Sequence, residues 1–211
     1  MYRLRGLYAI TPDEDDTARL ALKVEAAIAG GATAIQYRSK RAAASLRLAQ
    51  ARALAVICRE LEALFIVNDD AALAAEVAAD GVHLGEDDGD IAAARAIVGD
   101  AAVIGVSCYG DLERARRLVG EGAGYVAFGS FFASTIKPNA RRAQPSVLAA
   151  AKALGVPIVA IGGITANNAR SLVDAGADAV AVISDVFAHD AREDIVRAAA
   201  AIAACFEAPT A

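Results

Sequence analysis

Apolar positions along the chain follow two alternating patterns. Short apolar runs predict strands at Leu7–Ile10, Thr33–Tyr37, Phe65–Asn68, Gly81–Leu84, Val103–Ser107, Tyr125–Gly129, Ile158–Ile161 and Ala179–Ile183. Between them, longer alanine-rich stretches predict helices at Thr17–Ala29, Ala42–Glu62, Ala71–Ala79, Ile91–Val98, Leu112–Gly120, Ser146–Leu154, Ala166–Ala175 and Ala191–Phe206. Strict strand–helix alternation predicts a parallel sheet covered by helices. Eight such units predict closure, so the expected class is α/β, a single (β/α)8 TIM barrel with eight parallel strands forming one domain over residues 1–211.

An internal repeat supports this. Gly31-Ala32-Thr33-Ala34-Ile35-Gln36 resembles Ala79-Asp80-Gly81-Val82-His83-Leu84, Gly122-Ala123-Gly124-Tyr125-Val126-Ala127 and Gly176-Ala177-Asp178-Ala179-Val180-Ala181. In each, a small-residue turn ends a helix and feeds a strand, and glycine permits the left-handed backbone of such a helix exit. The copies lie about 45–55 residues apart, the length of two strand–helix units.

Composition narrows the chemistry. The chain is 56% hydrophobic but only 5% aromatic, so the core is built from small aliphatic side chains with helices close to the sheet. A net charge of −5 excludes a global basic footprint for nucleic acid, while a local cluster of cations still suits an anionic small ligand. The three cysteines, Cys58, Cys108 and Cys205, are odd in number and form no C-x-x-C pair, which argues for reduced thiols rather than disulfides or a cysteine zinc site. The start lacks a signal-peptide pattern, and charges break every apolar stretch before membrane-spanning length. A soluble cytoplasmic protein is expected.

Loops that follow barrel strands build active sites in this fold, and the unusual polar residues cluster there. In Gln36-Tyr37-Arg38-Ser39-Lys40, side chains two apart face the same way, so Gln36, Arg38 and Lys40 can converge while Ile35 and Tyr37 face the helices. Arg38 and Lys40 are either phosphate ligands or solvated loop charges; an inward Gln36, which needs a partner, favours the first. In Asn68-Asp69-Asp70, one aspartate serves as a helix N-cap. The other, with Asp88 from the loop after the fourth strand, would suit magnesium, a hard cation that takes carboxylate and phosphate oxygens. Asp90 is a further cap, and Glu86 and Asp87 are solvated loop charges. His83 is either an interior histidine with satisfied hydrogen bonds or a catalytic base, its place within the strand favouring the first, and His189 has no assigned role. Ser107 can hydrogen-bond a phosphate or leaving group, but no Gly-x-Ser-x-Gly elbow supports a serine hydrolase. After the sixth strand a long loop carries Ser134, Thr135 and Lys137, either a lid that delivers a cation or a decorative basic segment. Gly162-Gly163 after the seventh strand and Ile183-Ser184 after the eighth occupy the usual phosphate position of the fold, where backbone N–H groups meet an oxyanion.

In order along nearly the whole chain, Gln36-Tyr37-Arg38-Ser39-Lys40, Val67-Asn68-Asp69-Asp70, Asp80-Gly81-Val82-His83-Leu84-Gly85, Gly105-Val106-Ser107, Phe128-Gly129-Ser130-Phe131-Phe132 and Ile161-Gly162-Gly163-Ile164-Thr165 resemble the thiamine phosphate synthases. The resemblance implies a transferase of thiamine biosynthesis that joins a hydroxymethylpyrimidine diphosphate to a thiazole phosphate, releasing pyrophosphate with magnesium assistance. By that resemblance Gln36, Arg38, Lys40, Asn68, Ser107 and Lys137 hold the pyrimidine diphosphate, with Arg38, Lys40, Ser107 and Lys137 acting in catalysis. Asp69 and Asp88 ligate Mg2+. Ser134, Thr135, Gly162, Gly163, Ile183 and Ser184 receive the thiazole phosphate. The partners expected are small phosphorylated substrates, with no nucleic acid or membrane, in a monomer or homodimer.

One departure stands out. The family loop usually reads Pro-Thr/Ser-x-Thr-Lys, whereas this chain has Ala133-Ser134-Thr135-Ile136-Lys137, with Ala133 for the proline and Ile136 for a hydroxyl residue. The alternatives are a thiazole tautomerase of the same superfamily, which needs a proton-shuttling histidine near Ser107, and a non-catalytic thiazole- or thiamine-phosphate-binding regulatory module. Retention of Arg38, Lys40, Asn68, Asp69, Asp88 and Lys137 argues against the tautomerase; only Ala133 and Ile136 favour the module. Another phosphate-binding barrel would explain Gly162-Gly163 and Ser184 but not the Arg/Lys and Asn-Asp clusters.

Overall fold

The alternation closes into a ring. A computed structural model of the chain describes residues 4–133 and 142–207. Its strands are β1 (Gly6–Ile10), β2 (Ala32–Tyr37), β3 (Leu64–Asn68), β4 (Gly81–Leu84), β5 (Val103–Tyr109), β6 (Tyr125–Gly129), β7 (Ile158–Ile161) and β8 (Ala179–Val182). Each pairs in parallel with the next, and β8 returns to β1 with Gly6 opposite Ala179 and Ala9 opposite Val182. The helices are α1 (Thr17–Ala29), α2 (Ala44–Glu60), α3 (Ala71–Glu76), α4 (Ile91–Val98), α5 (Leu112–Gly120), α6 (Ser146–Ala151), α7 (Ala166–Asp174), α8 (Ser184–Phe187) and α9 (Arg192–Ala203).

Differences from the sequence reading sit at the ends of elements. The predicted last turns of the sixth and final helices tighten into 3-10 turns at Lys152–Leu154 and Ala204–Phe206. The third helix stops three residues early, where Ala78 takes a left-handed φ of 51°. α8 was absent from the sequence reading because its four residues are too few to carry a helical period.

Alternation along each strand separates two apolar layers. Leu7, Ala9, Ile35, Phe65, Val67, Val82, Ile104 and Val126 belong to the layer shared with the helices. Tyr8, Ile10, Ala34, Ile66, Tyr125, Ala127, Val159, Ala179 and Ala181 fill the barrel. Two tyrosines in so narrow a space require small neighbours. A Cβ on Gly105 would lie 1.9 Å from Cζ of Tyr125, so glycine at 105 makes room for that ring.

The repeat has a structural meaning. Asp80, just before β4, accepts a hydrogen bond from the Phe65 N–H at the start of β3 (2.8 Å). Asp178, just before β8, accepts one from the Ile158 N–H at the start of β7 (2.9 Å). Each aspartate thus ties two neighbouring strands at the N-terminal end of the barrel. Among the described residues no helix is long and apolar enough to cross a membrane.

Candidate active site

The C-terminal ends of β1 and β2 are fastened together first. The Thr11 N–H donates to the Gln36 carbonyl at 2.9 Å. Its hydroxyl accepts from the Arg38 N–H at 2.9 Å and donates to the Arg38 carbonyl at 3.1 Å. Asp13 accepts from the Lys40 N–H at 2.7 Å. The segment carrying Arg38 and Lys40 is therefore held rather than loose. Tyr37 turns outward, as its parity requires, and donates to Gln50 on α2.

From this frame Lys40 Nζ reaches Asp69 Oδ2 at 2.5 Å. Asp69 adopts a left-handed φ of 62°, and its N–H donates to the His83 carbonyl at 2.8 Å, which sets it beside the end of β4. There its carboxyl shares a hydrogen bond with that of Asp88, which also accepts from the Gly85 N–H at 2.8 Å. Burial raises the Asp69 carboxyl, but hydrogen bonds from Lys40 and Asp88 outweigh it and hold the group below the ordinary carboxylate range. Burial, followed by the hydrogen bond to Asp69, raises Asp88. Of the two carboxyls, Asp88 is therefore the easier to protonate. Asp70 and Asp90 cap α3 and α4 through Leu73 and Ala93 N–H groups, at 2.9 and 2.6 Å.

Inside the barrel a second polar group lies under this rim. Gln36 Nε2 donates to the Tyr8 hydroxyl at 2.8 Å, and that hydroxyl lies 2.9 Å from the hydroxyl of Tyr125. Tyr125 meets His83 Nδ1 at 2.8 Å, and His83 Nε2 meets Ser107 Oγ at 2.9 Å. His83 is thus a buried histidine with both ring nitrogens bonded. Burial pushes the phenols of Tyr8 and Tyr125 well up, so both keep their protons. The sequence reading missed the two tyrosines. Their signal was parity: each faces inward on a strand whose other inward positions are small or apolar.

The opposite rim is made of backbone. Gly162 and Gly163 have φ of 106° and 63°. A Cβ at Gly162 would come within 2.1 Å of Ser130 Oγ, and one at Gly163 within 2.2 Å of the Ala133 carbonyl oxygen, so side chains are excluded at both positions. Asn168 Nδ2 donates to the Gly163 carbonyl at 3.1 Å, and Thr165 and Asn168 form a reciprocal cap on α7. Asp185 Oδ2 accepts from the Ala166 N–H at 3.0 Å, which ties the start of α7 to α8, where Ile183 and Ser184 sit.

The structure thus pairs Lys40 with Asp69, sets Asp88 beside Asp69, and joins Gln36 to Ser107 through three buried side chains. Arg38 and Asn68 are half-buried at the same ends of β2 and β3. Ser134, Thr135, Ile136 and Lys137 lie outside the described residues. Among the described residues, the metal-ligating types do not gather in groups of three or more. A cavity of about 490 Å3 opens at the other end of the barrel, lined by Thr33, Cys58, Arg59, Glu62 and Asp80 among others. Two of its polar groups are engaged in structure: Thr33 donates to the Arg5 carbonyl and Asp80 holds Phe65. It lies away from the loops that carry function in this fold.

Fold and site together define a TIM barrel with a cation–carboxylate rim facing a glycine rim. The family model for thiamine monophosphate synthase matches residues 7–186. A thiamine-phosphate synthase of Chromobacterium violaceum is 55% identical over 206 residues, 98% of each chain. One of Methylobacillus flagellatus is 57% identical over 180 residues, 85% of this chain and 86% of the relative. A solved thiamine phosphate pyrophosphorylase of Pyrococcus furiosus is 34% identical and superposes with a TM-score of 0.84 over 96% of both chains. The chain belongs to the thiamine monophosphate synthase family.

Proposed function

We propose that this chain, acting as one catalytic domain in the cytoplasm, joins a hydroxymethylpyrimidine diphosphate to a thiazole phosphate and releases pyrophosphate. The observation that carries the reading is the meeting of Lys40, Asp69 and Asp88, from three separate loops, at the rim above Gln36 and Ser107. Two carboxyls close enough to share a hydrogen bond are a hard-oxygen pair, and the donor set fits magnesium with substrate phosphates and water completing its shell. Bound there by Asp69 and Asp88, Mg2+ would neutralise charge on the leaving diphosphate.

The protein's own groups have complementary tasks. The thiazole nitrogen is already a nucleophile, so the reaction needs stabilisation of the leaving group more than a strong base. Arg38, Lys40 and Lys137 supply positive charge to the diphosphate, and Asn68 and Ser107 supply hydrogen bonds. Gln36, fixed by Tyr8, borders the same pocket floor for the pyrimidine. Gly162, Gly163, Ile183 and Ser184 offer backbone N–H groups to the thiazole phosphate, and Ser134 and Thr135 are further ligands for it by family resemblance. The tautomerase alternative needs a proton-shuttling histidine near Ser107; His83 lies there, but its two ring nitrogens are engaged by Tyr125 and Ser107.

Incubation with both substrates and magnesium is expected to give thiamine phosphate and equimolar pyrophosphate. Isomerised thiazole alone would identify a tautomerase. Binding of both ligands without product would leave a regulatory module, with Ala133 and Ile136 as its cause.

A further inference from the structure

The five side chains inside the barrel form an unbroken line from Gln36 to Ser107, and proton counting gives that line a direction. The Tyr8 oxygen accepts from Gln36 Nε2, so its single proton goes to Tyr125. The Tyr125 oxygen accepts it, and its own proton goes to His83 Nδ1. An imidazole that accepts on Nδ1 carries its proton on Nε2 and donates it to Ser107 Oγ. The Ser107 hydroxyl proton is then left to point out of the chain. With Gln36 Nε2 facing Tyr8, the reverse direction would make the Tyr8 oxygen accept from both Gln36 and Tyr125. Its own proton would then have no acceptor within the line, at a site only 1% exposed.

Packing holds the direction in place. The His83 ring stacks on Tyr125 with centroids 5.5 Å apart and planes 27° apart. Tyr8 meets Tyr125 edge-on at 6.1 Å and 76°. Gly105 leaves the space that the Tyr125 ring fills, and any side chain there would displace it. Both phenols are held protonated by burial, so each remains able to pass one hydrogen bond forward.

We propose that Tyr8, Tyr125 and His83 are positioning residues: a one-way hydrogen-bond line that commits the Ser107 hydroxyl to donate into the active site. This rests on the reading that Ser107 faces the substrate diphosphate. A serine hydroxyl alone is both donor and acceptor and turns freely. One whose oxygen already accepts from His83 presents a donor, which is what developing negative charge on a leaving group requires. The line also links the orientation of the Gln36 amide to that of Ser107, although their sequence positions are far apart.

The tautomer of His83 tests the direction without any turnover. In protein labelled with 15N-histidine, long-range 1H–15N correlation is expected to show Nε2 protonated and Nδ1 unprotonated. A His189→Gln variant assigns the two histidines of the chain. An Nδ1–H tautomer would overturn the proposal. Because no substrate is needed, this result stands or falls separately from synthase activity.

The catalytic arm is a double-mutant cycle. Tyr125→Phe interrupts the line while keeping the ring; it is expected to lower turnover about tenfold with KM for the thiazole phosphate unchanged. Added to Ser107→Ala, the same substitution is expected to change turnover less than about twofold, since the group it acts through is gone. Independent, multiplicative losses would mean that Tyr125 serves the fold rather than Ser107. Should Tyr125→Phe not fold, the tautomer measurement on the unaltered chain still decides the matter.

Discussion

At the scale of single residues, the rim sets two neighbouring carboxyls apart in their affinity for a proton. Lys40 and Asp88 together hold Asp69 ionised, while burial and Asp69 make Asp88 the easier of the pair to protonate. On the proposed reading a cation would be held by both carboxylates, so its binding and their protonation compete. As pH falls, Asp88, with its raised affinity for a proton, fills first. The magnesium concentration giving half-maximal activity should therefore rise as pH falls through the acid range. On the proposed reading, Asp69→Asn removes one hard ligand at every pH. A charge-assisted contact of about 1.5–3 kcal/mol corresponds to a requirement raised about tenfold or more. Magnesium titrations of both proteins at several pH values check this; an unchanged requirement in Asp69→Asn would remove Asp69 from the metal site.

At the scale of elements, the internal repeat makes a prediction about stability. Asp80 and Asp178 occupy equivalent places before β4 and β8 and satisfy strand N–H groups that would otherwise lose a partner. Replacing either by alanine should cost about 1–3 kcal/mol, the penalty of an unsatisfied donor. The two sites lie on opposite sides of the ring, so the losses should add in denaturant titrations of the single and double variants. A double variant no worse than one single variant would show that the two ties are not independent. These aspartates also mark what the sequence could reveal. Strand order, helix order and the rim residues Lys40, Asp69 and Asp88 were legible because a period of two or 3.6 and a position after a strand are local properties. The link from Gln36 to Ser107 was not. It depends on Tyr8 and Tyr125 meeting across the barrel, 117 positions apart, in space that Gly105 vacates. The short helix after Ile183 escaped for the opposite reason, being too brief to repeat. A dyad such as Asp69–Asp88 could be guessed from residue type, but the opposite shifts of its two carboxyls arise only once Lys40 takes one side.

At the scale of the whole molecule, closure decides whether repeated units behave as parts or as one. A strand pair at the ring's seam, β1 with β8, leaves no edge at which the sheet could open cheaply. Two cysteines can report on this because they sit in different sectors, Cys58 on α2 against β3 and Cys108 on β5. Both are fully buried, and burial pushes each thiol up to about 12. At about pH 8 a group with that pKa is almost wholly thiol, and the thiol is not the nucleophile. Modification of either must therefore wait for the protein to open. Cys205, half-exposed in the turn after α9, is free of that requirement. With a disulfide reagent near pH 8, Cys205 should react first, and Cys58 and Cys108 later with a single shared rate constant. Mass spectrometry of peptides sampled over time gives the three rates separately. If opening is global, a stabilising ligand such as thiamine phosphate should slow both buried thiols by the same factor, since both report one equilibrium. If Cys58 reacts faster than Cys108, or ligand protects only one, the ring opens by sectors, and the repeat is a unit of stability as well as of sequence.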